Sequence, residues 1–455
     1  MTQVQELARF VERTSYEDLS QEAVRELKVR ILDALGCAIG ALEGQPVRRI
    51  REQTAEFGGN PLATLIGGGR TAPDRAALYN GALVRYLDYN DSYLAPGETC
   101  HPSDNLGAVL AAAEYAGGSG RDLLAALAVA YQVQSRLSEV APVRHKGFDH
   151  TTQGAYAAAA GVAKALTLDA WKTMNAVAIS GAANNALRVT RTGSLSHWKG
   201  LAYPYTGSAA THAAFLAMRG ITGPPEVFEG NKGFMEAIAG RFEIDWDRED
   251  LEVVTRTIVK RYNAEIHSQS ALEGILELKE EHGIRPEEVE RVELDTFDVA
   301  FNIIGGGEEG TKHLVRTKEE ADHSLPYMLA VALLDGDVGP AQYTPERIRR
   351  EDVQGLLRRV VVRPEEELSR RFPEEMPCRI RVSLKDGQTL EVEKRDYEGF
   401  FTWPMSWEGA LQKFKRLSAP YADGKLMESI AHATGHLEDV EVRELAELLG
   451  RVGKP

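Results

Sequence analysis

Apolar residues recur every three or four positions from Ser20 to about Ile266, with polar loops between, and this spacing predicts a succession of helices. "AVRELKVRILDALGCAIGAL" places Val24, Leu27, Ile31 and Leu35 on one face. The first residues, "MTQVQELARFVERTSYEDLS", predict an amphipathic, charged helix and not a secretory leader. "NLGAVLAAAEYAG" and "GAYAAAAGVAKALTLDAWKTMNAVAISGAANNAL" are rich in Ala and Gly, so helix axes can approach closely, and they predict the buried centre of a helical domain. Beyond His267 the period changes. "EVERVELDTF" and "PCRIRVSLKDGQTLEVEKRD" alternate apolar and polar residues, and Asp386-Gly387 between two such runs predicts a hairpin. "SLPYMLAVALLDG" predicts a helix between them, so roughly 270–400 reads as a smaller α+β domain. The tail, from "SWEGALQKFKRL", returns to helical spacing and can rejoin the first domain.

Composition narrows the class. At 455 residues, 43% hydrophobic and 27% charged, the chain supplies core enough for two domains without staples. A formal net charge of -15 disfavours nucleic acid and anionic membranes as partners, and a small anionic substrate then requires a locally basic pocket. Cys37, Cys100 and Cys378 lack CxxC spacing, which points away from a disulfide framework or structural zinc and toward a reducing cytoplasm. The longest apolar stretch, "DLLAALAVAYQVQ", is too short to span a bilayer.

The familiar motifs are missing. Gly305, Gly307 and Gly310 in "IIGGGEEG" fit GxGxxG in form, but the glutamates would repel a phosphate and no apolar helix follows, so this cluster and "LIGGGR" read as turns or loops. There is no HExxH, no HxH and no GxSxG; His145 and His150, five apart, do not share a helical face, and no metal site is expected.

What remains is a set of polar clusters at interruptions of the apolar helices: "LDYNDS", "CHPSDN", "HKGFDHTT", "RVTRTGSLSHWKG", "YNAEIHSQSALE" and "ADHSLPY". Each has a plain reading. Ser103 or Asp104 can cap the helix near Asn105, Asp149 or Thr151 can cap the next, and Asp88 and Asp91 can serve as turn or cap residues. Arg188, Arg191, His197 and Lys199 gather positive charge in one acidic chain, as a solvated run or as an anion site.

In order, these clusters resemble the MmgE/PrpD family. The matching residues are "YLDYNDSYLAPGETCHPSDNLGAVL", "GFDHTTQGAYAAAAGVAKAL", "SHWKG", "YNAEIHSQSALEGILEL" and "ADHSLPYMLAVALLDG". The resemblance implies a mainly α fold: a large helical domain from residues 1–266 and the returning 403–455, with an inserted α+β lid domain at 267–402. It implies a homodimer without metal or organic cofactor. Carried over by residue, it implies catalytic roles for Asp88, His101, His150, Lys199 and His267, with Ser92 and Tyr327 in the substrate site.

The activity implied is removal of water from 2-methylcitrate, with citrate as a further substrate, giving a cis-aconitate-type alkene. Such an elimination needs a base, an acid and cations for the carboxylates. His101 and His267 suit the proton transfers with Asp88 in support, Lys199 suits the developing charge, and Arg191 suits a distal carboxylate. Decarboxylation of cis-aconitate, epimerisation of a related polycarboxylate and non-catalytic polycarboxylate binding are the alternatives.

Overall fold

The computed structural model describes residues 1–454. Backbone contacts divide the chain into two compact units: Met1–Thr190, Gly200–Val259 and Met405–Pro455 form the first, and Arg191–Lys199 with Lys260–Pro404 the second. The division falls a few residues from the boundaries expected from periodicity, and it assigns the "RTGSLSHWK" segment to the second unit.

The first unit is built on helices. Its elements are α1 (Gln3–Arg13), α2 (Gln21–Gly40), α3 (Gln45–Phe57), α4 (Pro73–Tyr86), α5 (Leu106–Ala116), α6 (Gly120–Val140), α7 (Thr151–Ala165), α8 (Ala170–Ala183) and α9 (Trp198–Met218, whose first two residues belong to the second unit), with the tail helices Trp407–Ser418, Gly424–Gly435 and Val442–Leu449. Starts are set by side-chain caps: Ser20 accepts from the Ala23 N–H, Ser119 and Asp122 form a capping box, and Asp169 accepts from the Lys172 N–H. The small residues act as the pattern predicts. A Cβ on Gly107 of α5 would lie 2.4 Å from the Gly81 nitrogen of α4, so these axes close only because position 107 lacks a side chain. The tail packs on α2, where Phe414 fills the space over Gly36. The "LIGGGR" glycines make the turn between β1 (Ala63–Thr64) and β2 (Arg70–Thr71). A second hairpin, β3 (Tyr93–Ala95) with β4 (Glu98–Cys100), follows α4.

The second unit is a four-stranded sheet with order β6-β5-β7-β8, from β5 (Val289–Thr296), β6 (Val360–Pro364), β7 (Cys378–Leu384) and β8 (Thr389–Lys394). β7 alternates buried and half-buried residues along its length, as one-sided burial requires. The β7–β8 turn carries Gly387 at φ +92°, where Asp386-Gly387 predicted it. β6, which pairs in parallel with β5, has no counterpart in the sequence reading. Helix α10 (Gln269–His282) and the helix Leu325–Asp335 contribute Leu272, Ile275, Met328 and Leu329 to the core over this sheet. No helix among the described residues is long and apolar enough to cross a membrane.

Candidate functional site

In the first unit the polar stretch after α4 folds into one buried knot. Asp88 sits at φ +56°, a conformation that non-glycine residues adopt uncommonly and that sharp functional turns often contain. Its carboxylate pairs with Arg85 one turn back, and the Arg85 Nε lies 3.5 Å from Asp104 Oδ2. Beneath the turn, Lys413 of the tail donates to the Tyr89 carbonyl at 2.7 Å and pairs with Asp33 at 2.6 Å. Asp91 is fully buried and ties three segments together. Its carboxylate accepts from the Ser103 N–H at 3.0 Å and the Tyr131 hydroxyl at 2.7 Å, while burial pushes its carboxyl above the usual range.

The β3–β4 hairpin pairs Tyr93 with Cys100, so the residues flanking that pair, Ser92 and His101, are brought together. His101 Nδ1 lies 2.8 Å from the Asp91 carbonyl and 3.0 Å from Ser92 Oγ. A carbonyl only accepts, so His101 Nδ1 donates to it. The His150 ring stands edge-on to His101 at 5.3 Å, its Nδ1 3.1 Å from Asp149 Oδ1, and Tyr203 stacks on its other side at 6.1 Å. Gly154 makes room for Tyr203, whose Cε2 a Cβ there would approach to 2.3 Å. Ser103 and Asp104 do not cap α5; the Asn90 amide donates to both side chains at 2.8 Å, whereas Asp149 accepts from the first N–H of α7 at 3.2 Å.

In the second unit Lys199 is buried, and its ammonium lies 2.7 Å from Asp322 Oδ1 and 2.9 Å from His323 Nδ1. Lys318, one helical turn before Asp322, donates to the other carboxylate oxygen at 2.7 Å. Burial alone would raise the Asp322 carboxyl, but the ammonium groups of Lys199 and Lys318 and the His323 hydrogen bond hold it well below the usual carboxylate range. It is therefore an anion held between two ammonium groups. The Glu265 N–H donates to the Asp322 carbonyl at 3.1 Å, which joins this group to the "AEIHS" turn.

There Glu265 accepts from the His267 N–H and from His267 Nδ1, both at 2.8 Å. Burial would raise its carboxyl, but the charge and hydrogen bond of His267, with His323 and Lys260 nearby, bring it down to about 2. His267 packs against Phe297 and Phe372, and its buried Nε2 has no hydrogen-bond partner. Arg191 is buried in the same unit. Tyr327 takes a different place: its hydroxyl donates to the Gln342 carbonyl, and its ring lies in the apolar core 6.0 Å from Tyr343.

Sequence reasoning singled out His267 and Lys199 but passed over Glu265, Asp322, His323 and Lys318. The signals were present as the acid two residues before His267 and the Asp-His pair of "ADHSLPY".

The family model for the MmgE/PrpD N-terminal domain matches residues 5–247, and that for the MmgE/PrpD C-terminal domain matches residues 262–438. The chain belongs to the MmgE/PrpD family. Within that family it is 26% identical to the mitochondrial 2-methylcitrate dehydratase of Yarrowia lipolytica, over 98% of this chain and 89% of the relative. It is 28% identical to 2-methylcitrate dehydratase of Salmonella typhimurium, over 76% of this chain and 74% of the relative. It is also 26% identical to cis-aconitate decarboxylase of Mus musculus, over 93% of this chain and 88% of the relative. The two matches contain every residue described above in the two clusters except Lys260, which falls between them.

Proposed function

We propose that this MmgE/PrpD chain is a hydro-lyase that removes water from 2-methylcitrate, and from citrate as a second substrate, to give a cis-aconitate-type alkene. The observation that carries the reading is His267, an imidazole held by a buried carboxylate on Nδ1 while its buried Nε2 has no partner. Family relatives named as dehydratases supply the substrate class.

Loss of a proton beside a carboxylate concentrates negative charge, and expulsion of the neighbouring hydroxyl needs a proton. In this reading His101, whose Nδ1 proton goes to a carbonyl, takes the substrate proton on Nε2. His267, whose Nδ1 is held by Glu265, gives a proton to the leaving hydroxyl. Lys199, paired with Asp322, meets the carboxylate on which charge develops. Asp88 holds Arg85, and His150 stands against His101 as a positioning residue; Ser92 fixes His101 from the hydroxyl side. A homodimer working in the cytoplasm without an organic cofactor completes the reading, and sedimentation tests its first element.

The experiment adds 2-methylcitrate to chelator-treated protein and follows the ultraviolet absorbance of the conjugated alkene. A rise that survives chelation, and that His101→Ala abolishes, is expected. No rise from folded protein, with carbon dioxide released from cis-aconitate instead, would replace this reading by decarboxylation, which the relative from Mus musculus makes the second reading.

A further inference from the structure

The turn that begins at Asp88 is gripped from behind by the tail helix Trp407–Ser418. Lys413 and Arg416, three positions apart and so on one face of that helix, converge on Tyr89. The Lys413 ammonium donates to the Tyr89 carbonyl at 2.7 Å and lies 3.6 Å from the centroid of its ring, while Arg416 donates to the Tyr89 hydroxyl at 2.7 Å. Asp33 of α2 completes the group, 2.6 Å from Lys413 and buried like Lys413 and Tyr89. The residue that follows Asp88 is thus held at its carbonyl, its ring and its hydroxyl.

The grip continues toward His101. Asp91, two residues after Tyr89, presents its carbonyl to His101 Nδ1 at 2.8 Å. The same peptide bond is fixed on its other side, where the Ser92 N–H donates to the Ile258 carbonyl at 2.9 Å. The acceptor that orients His101 therefore lies between two backbone anchors, Lys413 at Tyr89 and Ile258 at Ser92. Packing alone does not require charge at the first of them. Apolar side chains of similar volume fill the space of a buried ion pair without its desolvation cost, and such replacements are often neutral or stabilising. What they cannot supply is a donor to the Tyr89 carbonyl or a cation on its ring.

We infer that Lys413, held by Asp33, is a positioning residue: it fixes the Tyr89 carbonyl and, through the Asp88–Asp91 turn, the orientation of the His101 imidazole. Its kinetic consequence rests on the lyase reading above, in which His101 takes the substrate proton. A misplacement of about 1 Å at a reacting group costs about a hundredfold in rate even when the change lies far from the chemistry.

The test compares the full chain with Asp33→Leu/Lys413→Met, which replaces both charges by apolar groups, and with Phe414→Leu, at the neighbouring residue that packs over Gly36. Each is followed by thermal unfolding, by turnover of 2-methylcitrate and by the NMR signal of the His101 imidazole in histidine-labelled protein, assigned through its loss in His101→Gln. The double variant is expected to melt within about 5 °C of the parent. Its kcat is expected to fall about a hundredfold while KM stays within about threefold, with the His101 signal displaced. Phe414→Leu is expected to melt lower, yet to keep kcat within about twofold and leave the His101 signal in place. Asp33→Asn/Lys413→Gln supplies the same readouts if the apolar pair does not fold. An unmoved His101 signal in a folded double variant overturns the positioning role, as does a kcat within about threefold of the parent. A displaced signal in a chain whose parent does not turn over 2-methylcitrate keeps the positioning of His101 and removes the proposed reaction.

Discussion

Replacing Glu265 by Gln isolates the charge that holds His267. Glutamine keeps the shape and an acceptor oxygen for Nδ1, but it cannot ionise. Glu265 is 7% exposed, and its carboxyl lies at about 2 in the folded chain against an ordinary 4.5. That difference corresponds to roughly 3 kcal/mol of folding stability at ~1.4 kcal/mol per tenfold change in proton affinity. The sign follows from linkage. The folded carboxyl is the stronger acid, so its contribution is fully present above the unfolded value and is lost as pH falls toward the folded one. By pH 3 about 2 kcal/mol of it is gone. Urea unfolding of the parent and of Glu265→Gln at steps from pH 7 to pH 3 is the assay, because the difference between the two cancels the other carboxylates. The stability gap is expected to shrink by about 2 kcal/mol across that range. A gap constant to within about 0.5 kcal/mol would refute the claim that Glu265 is an ionised partner of a cationic cluster.

Lys199→Met leaves the Asp322 carboxylate buried with one cation fewer, and a loss of about 3 kcal/mol in unfolding free energy is expected together with a fall in kcat of at least about a thousandfold. Adding Asp322→Asn should restore much of the stability in urea titrations but none of the turnover; recovery of both would show that Lys199 has no role beyond its ion pair. Tyr327→Phe removes only the hydroxyl that donates to Gln342, so it should cost about 1 kcal/mol of stability while KM stays within twofold, and a large rise in KM would return Tyr327 to the substrate site.

The helices are legible because each carries both a period and a boundary. In α2 the apolar face and the Ser20 cap are four residues of pattern and one of punctuation. β6 is not legible, since "RRVVVRP" offers neither alternation nor a flanking turn signal, and it is a strand because the edge of β5 accepts it in parallel. The same distinction runs through the site. Histidine and lysine residues announce themselves by type, but their partners depend on folding: Lys199 and Asp322 are 123 positions apart. Asp91 reads as a turn residue, yet its carboxylate reaches Tyr131, 40 positions on.

Glu265 shows why proximity in sequence is not enough either. Residues two apart point to different faces of a regular helix, so an acid at that spacing gives no reason to expect a bond to the imidazole. Here the chain makes a 3-10 turn over Ile266–Ser268 with Glu265 as its cap, and the one carboxylate takes both the His267 N–H and Nδ1. The cap that starts the turn thus also holds the ring. His101 Nδ1 instead meets the carbonyl of Asp91. The two imidazoles are thus held by different partners, the Asp91 carbonyl for His101 and the Glu265 carboxylate for His267.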